Sequence, residues 1–238
     1  PMVLVPNLKG CERALAAGAR RITAPISVSE AHSMSNVRKS TAQAIEDFAR
    51  MVNLIRSQAN GQRAHLVGAC STAFGCSLQG VVAEEDVVRV ALALREAGAD
   101  AISLADTVGY ANPEQVKRLF QKVRKAVGED FNIEAHFHNT RGLGLANALA
   151  AYEVGVQNFD STLGGLGGCP WAPGASGNVV TEDLVFMFES MGVNTGIDIG
   201  KLIEVRRTAF AALPDAELYG HLAKAGLPKG HQPLSHAA

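Results

Sequence analysis

The stretch Asn132-Ile133-Glu134-Ala135-His136-Phe137-His138-Asn139 is a short apolar run ending in two histidines two residues apart. Residues i and i+2 of a β-strand point to one face, so a strand over 132–138 aims both imidazoles into one space. Amphipathic segments of 3.6-residue period flank it, at 113–127 before and 143–154 after. Helix, strand and helix in series form the repeating unit of a parallel sheet. Two neutral imidazoles on one side of a site suit a divalent metal. The plainer reading is a pair of histidines hydrogen-bonded at a strand end.

The same alternation runs outward in both directions. Strands are expected over 2–7, 21–28, 63–70, 101–107 and 158–163, and helices over 8–17, 37–57, 84–97 and 181–191. Asn112-Pro113-Glu114 is a helix start, with Asn as N-cap and Pro in the first turn. Gly98, Gly128, Gly155 and Gly192 close helices. Val87, Val90, Ala91 and Leu94 form an inward stripe that reads as core alone. A further helix, about 199–213, is followed by no strand, and the Pro/Gly-rich tail from Gly226 to Ala238 reads as loose.

Six βα units predict an α/β fold whose strands are apolar on both faces. Two architectures compete, a closed (β/α)8 barrel and an open doubly wound sheet. The open fold often carries a Gly-x-Gly-x-x-Gly turn after its first strand. Here that strand runs into Pro6-Asn7-Leu8-Lys9-Gly10, which lacks it. The chemically suggestive residues fall at the ends of several strands, which is the habit of the TIM barrel. The expectation is therefore a single TIM (β/α)8 domain over 1–238, with C-terminal helices and tail from about 198. About six of its eight units are present, and the two missing ones belong before the first strand.

Composition narrows the partners. The chain has 238 residues, 47% hydrophobic and 19% charged, with a net charge of −1. This is ordinary for a globular protein with a sizeable core. It predicts no basic surface for nucleic acid. No apolar run approaches the roughly 18–20 residues of a membrane span. The N-terminal residues lack the features of a signal peptide. Cys11, Cys70, Cys76 and Cys169 are too few and too irregular for a disulfide framework, which points to a reducing compartment. Cys11 and Cys70 are expected to be buried.

Downstream of the histidines lies Leu163-Gly164-Gly165-Leu166-Gly167-Gly168-Cys169-Pro170, then Gly174-Ala175-Ser176-Gly177-Asn178. Glycines at this density let a backbone curl close to a ligand. A lone cysteine in such a loop serves as proton donor or nucleophile, or is an incidental thiol on a connector.

These stretches, with Ile102-Ser103-Leu104-Ala105-Asp106-Thr107-Val108-Gly109 and His136-Phe137-His138-Asn139-Thr140-Arg141-Gly142, resemble hydroxymethylglutaryl-CoA lyase over the chain to about Arg207. The resemblance implies metal-dependent cleavage of 3-hydroxy-3-methylglutaryl-CoA to acetyl-CoA and acetoacetate on a TIM barrel. It implies Mg²⁺ or Mn²⁺ held by His136, His138 and Asn178. Asp106 and His136 would serve acid–base chemistry at the substrate hydroxyl, and Cys169 would protonate the departing enolate. Asn7 and Ser103 would contact the acyl-CoA. The family habit adds a homodimer, and a cytoplasmic location, or the mitochondrial matrix in a eukaryote. The family's first strand carries an Arg-Asp pair and its second unit a Glu. This sequence opens at what resembles the third strand, so their counterparts are expected upstream. Asn139 stands where the family often has Asp.

Three rivals remain. Isopropylmalate and homocitrate synthases share the metal histidines but lack the Cys169 loop. A sister lyase would act on another 3-hydroxyacyl-CoA such as citramalyl-CoA. A catalytically impaired barrel would bind only a partner or an acyl-CoA.

Overall fold

A computed structural model describes residues 2–58, 63–168 and 177–231. Its strands are β1 (Met2–Leu4), β2 (Arg21–Ser27), β3 (His65–Ser71), β4 (Ala101–Asp106), β5 (Ile133–Phe137) and β6 (Asn158–Asp160). They lie side by side in chain order, every neighbouring pair parallel. A doubly wound sheet reverses its strand order at a switch point. No strand here skips its neighbour, and right-handed crossovers in one direction stack all the helices on one face, as in a barrel. β1 and β6 do not pair with each other among the described residues. The sheet is therefore open, a part of a barrel with two free edges.

Helices α1 (Leu8–Ala16), α2 (Glu30–Val37), α3 (Thr41–Arg56), α4 (Glu84–Ala97), α5 (Pro113–Val127), α6 (Gly144–Glu153) and α7 (Thr181–Ser190) punctuate the strands and follow the last of them. Val87, Val90, Ala91 and Leu94 of α4 are wholly buried, as the helical stripe predicts. Phe137 shows which face of β5 meets the helices. It is 2% exposed and packs with Phe74 and Phe120 at ring separations of 6.0 and 6.4 Å. By the two-residue period of a strand, Glu134, His136 and the following His138 face the other way, into the sheet's inner surface.

That inner surface corrects one expectation. The strands are not apolar on both faces. Thr23, Ser27, Ser103, Glu134 and His136 all belong to it, since residues in register across parallel strands share a face. Fully buried Glu134 is compensated by an ion pair with Arg21 across the interior and by Asn132 Nδ2. A buried charge without such partners would cost several kcal/mol.

Other boundaries shift for local reasons. The helix expected over 37–57 starts later, as α3 at Thr41, and a separate helix, α2, precedes it. Arg38 takes the left-handed conformation and ends α2, and Ser40 with Gln43 forms a capping box that starts α3. α2 was missed because its buried residues are His32 and Ser33 and give no apolar stripe. β1 and β6 are three residues each, shorter than the apolar runs that suggested them. After α7 come α8 (Ile199–Ala212), the helix expected at about 199–213, and a short α9 (Leu222–Ala225) that the sequence pattern does not announce. They pack on α7 through a small separate cluster of Val185, Ile199 and Leu222. Cys11 and Cys70 are buried as expected, and Cys76 is too.

Candidate active site

The ends of the strands bring the sequence-selected residues to one rim. Asn7 follows β1, Asp106 ends β4, and His136 and His138 close β5. Asn178 reaches the rim by a different route. Residues 177–180 form an extended segment against the end of β5, with Asn139 N–H donating to Gly177 O and Val179 N–H to Phe137 O. His138 and Asn178 face each other across this antiparallel bridge. The segment needs glycine at its start. Gly177 has φ +94°, and a Cβ there would collide with the carbonyl oxygen of Gly165.

The two imidazoles converge as their spacing requires. His136 Nε2 and His138 Nε2 are 3.3 Å apart, with the rings edge to face. Burial pushes both imidazoles down to about 4, and for His138 the neighbouring His136 adds to this. Both are neutral near pH 7, the state in which imidazole ligates metal. His138 Nδ1 and Asn178 Oδ1 are buried without a hydrogen-bond partner, and so is Ser103 Oγ farther down the same inner surface. Buried polar atoms are rarely left unpaired in a native fold. Two neutral imidazoles and an unpaired amide oxygen fit a divalent cation. Among the described residues no three His, Cys, Asp or Glu side chains cluster as a ready-made metal site, so the amide is needed to make a third donor.

Asp160 joins this group although the sequence reading passed over it. Its Oδ2 is 4.0 Å from His136 Nδ1, and burial raises its carboxyl, partly offset by the charge of Arg21. A signal was available. Asn158 and Asp160 flank apolar Phe159, as Glu134 and His136 flank Ala135 on the neighbouring strand. Thr72, at the end of β3, is a second addition. It is wholly buried with φ +59°, strained for a β-branched residue, and its hydroxyl accepts from Ser29 N–H.

Asp106 is 1% exposed and turned into its own loop. Its oxygens accept from Tyr110 N–H at 2.8 Å and Ala111 N–H at 3.1 Å. Burial raises its carboxyl to about 6 against the pull of those N–H groups and of Arg141. Arg141 ties the neighbouring loop to this one by donating to Val108 O and Gly109 O and lying over the Tyr110 ring. Asn7 is exposed, and its side-chain oxygen caps α1 through Gly10 N–H. Ser103 sits inside the sheet, one layer below His136. Cys169 lies outside the described residues.

A sequentially ordered parallel sheet with a His-x-His strand end, a facing amide and a Gly-rich connection has the build of part of a TIM-barrel α/β enzyme, with donors suited to a metal. The HMGL-like family pattern matches residues 2–209, and the chain belongs to that family. It is 41% identical over 205 residues to the hydroxymethylglutaryl-CoA lyase YngG of Bacillus subtilis, covering 86% of this chain and 67% of that protein. It is 42% identical over 200 residues to the (R)-citramalyl-CoA lyase of Chloroflexus aurantiacus, covering 84% and 62%. An HMG-CoA lyase from Acinetobacter baumannii, solved with coenzyme A and 3-methylmalate, superposes with a TM-score of 0.88 at 43% identity over 98% of this chain and 74% of that one. The chain thus spans about two thirds of the length of such relatives. No described helix is long and apolar enough to cross a membrane.

Proposed function

We propose that the chain carries out metal-dependent cleavage of 3-hydroxy-3-methylglutaryl-CoA to acetyl-CoA and acetoacetate. The observation that carries this reading is the 3.3 Å approach of His136 Nε2 to His138 Nε2 at a strand end bridged to Asn178, whose side-chain oxygen is buried and unpaired. It is supported by about 40% identity to hydroxymethylglutaryl-CoA lyases over most of the chain. The eight-unit barrel, a single domain, a homodimer and a cytoplasmic or mitochondrial setting belong to the same proposal.

His136, His138 and Asn178 hold the ion, and Mg²⁺ or Mn²⁺ supplies Lewis acidity at the substrate oxygens when bound. The residues have the remaining tasks. The C3 hydroxyl loses its proton as its oxygen becomes the ketone of acetoacetate, and the electron pair of the breaking C2–C3 bond moves into the thioester enolate. Asp106 is assigned to that first proton, because the lone pair of His136 is taken by the ion. A carboxyl raised to about 6 is nearer the working pH than an ordinary aspartate, as a general base requires. The loop N–H groups use only some of its roughly four acceptor positions. The Cys169 thiol returns a proton to the enolate carbon. Asn7 and Ser103 are assigned to the acyl-CoA.

A second reading, cleavage of citramalyl-CoA to acetyl-CoA and pyruvate, is favoured by the equally similar Chloroflexus enzyme. The chemistry is the same and the ketone product differs. The test offers both thioesters to the chain with Mn²⁺ and with EDTA. Acetoacetate formed only with metal supports the first reading, and pyruvate the second. Absence of metal-dependent cleavage of either overturns both.

A further inference from the structure

A chain of polar contacts runs from α8 to Asn178. Arg206 is 8% exposed, and its Nη1 donates to Oε1 of wholly buried Glu182 at 2.7 Å. Both oxygens of Glu182 accept the Gly164 N–H, at 3.1 and 3.2 Å. The Gly164 carbonyl accepts from Tyr219 N–H at 2.7 Å. Both backbone polar groups of Gly164 are therefore held from outside its own loop. Gly164 has φ +60°, and a Cβ there would lie 2.9 Å from the Arg206 guanidinium, so the cation packs directly on this glycine.

The next three residues pass this anchoring on. Gly165 O accepts from Asn178 N–H at 3.2 Å. Asn178 Nδ2 donates to Leu166 O at 2.7 Å and to Gly167 O at 3.2 Å. With both amide hydrogens engaged, the side chain has one orientation. The flipped amide would set its oxygen against two carbonyl oxygens, acceptor against acceptor. The orientation seen leaves Oδ1 buried and unpaired, on a residue bridged through its backbone to His138.

We propose that Arg206, acting through Glu182 and Gly164, is a positioning residue that aims the donor oxygen of Asn178. The segment carrying Tyr219 completes the anchor, although it lies beyond residues 2–209 matched by the family pattern. Asp183 accepts from His221 N–H and Leu222 N–H and holds that segment against α7. Outer groups that orient a ligand commonly change metal affinity by about 10–100-fold when removed.

The inference rests on the reading of Asn178 as a metal ligand, and the experiment separates the two. Mn²⁺ affinity, read from the free-Mn²⁺ EPR signal, is measured for the unmodified chain, Arg206→Met, Asn178→Ala and the double variant. Arg206→Met weakens binding by about tenfold when Asn178 is present. It has no further effect in the Asn178→Ala background, because the group it positions is gone. An equal loss in both backgrounds, or none in either, overturns the proposal. Arg206→Lys is the milder change. It gives a smaller loss with the same dependence on Asn178 should Arg206→Met not fold. If the unmodified chain binds no Mn²⁺, or Asn178→Ala binds it equally well, the metal reading fails instead. Amide exchange then decides the anchor: Arg206→Met must speed exchange at Gly164 and Asn178, and unchanged protection overturns it.

Discussion

His136 Nε2 lies 3.3 Å from His138 Nε2 while Phe137, between them, packs into the helical layer. The strand's two-residue period produces both facts. Burial keeps the two rings neutral, so the pair presents a lone pair for a cation rather than a positive charge.

Asp106 should leave a signature in stability against pH. Its folded value of about 6 lies above the ordinary carboxyl value. A raised carboxyl contributes stability that is present below its unfolded value, near 4, and lost as pH rises through 6. Asp106→Asn removes that loss. The variant should gain on the unmodified chain by on the order of 2–3 kcal/mol between pH 4 and 6.5, whatever fixed penalty its weaker loop contacts bring. His136 and His138 slope the other way in both proteins and cancel in the difference. Urea midpoints across this range check it, and parallel curves would reject the buried-carboxyl account.

The open edge at β1 should govern solution behaviour. Met2, Val3 and Leu4 are all exposed, Leu4 by 67%, beside a row of unpaired backbone groups. Such an edge templates pairing with other chains. Light scattering of the 238-residue chain should show concentration-dependent association, and Leu4→Lys should reduce it. A monodisperse chain indifferent to Leu4→Lys would show that the edge is not sticky.

Cys169→Ser tests the thiol assignment. A proton donor that acts after binding affects turnover and leaves acyl-CoA affinity nearly intact. Turnover should fall by about 10²-fold or more, the usual scale for losing acid–base help. Turnover equal to that of the unmodified chain would remove Cys169 from the mechanism.

Much of this architecture was legible in the sequence because its signals are periodic. The stripe of Val87, Val90, Ala91 and Leu94 marked α4, and Asn112-Pro113 its successor's start. The direction of His136 and His138 followed from their spacing. What escaped detection depends on partners distant in sequence. Nothing near Glu134 announces Arg21, 113 residues away, and nothing near Glu182 announces Arg206. α2 turns polar residues inward, which defeats any search for an apolar face. Asn178 could be selected only by resemblance, since its position depends on a bridge to β5 that no local pattern encodes.

The central claim is that His136, His138 and Asn178 form one divalent-cation site. Mn²⁺ titration of the metal-free chain, followed by EPR, tests it most directly. The account predicts one bound ion per chain, strongly weakened by His136→Ala or His138→Ala and weakened to a lesser degree by Asn178→Ala. Mn²⁺ binding that is undiminished in the two histidine variants would contradict it.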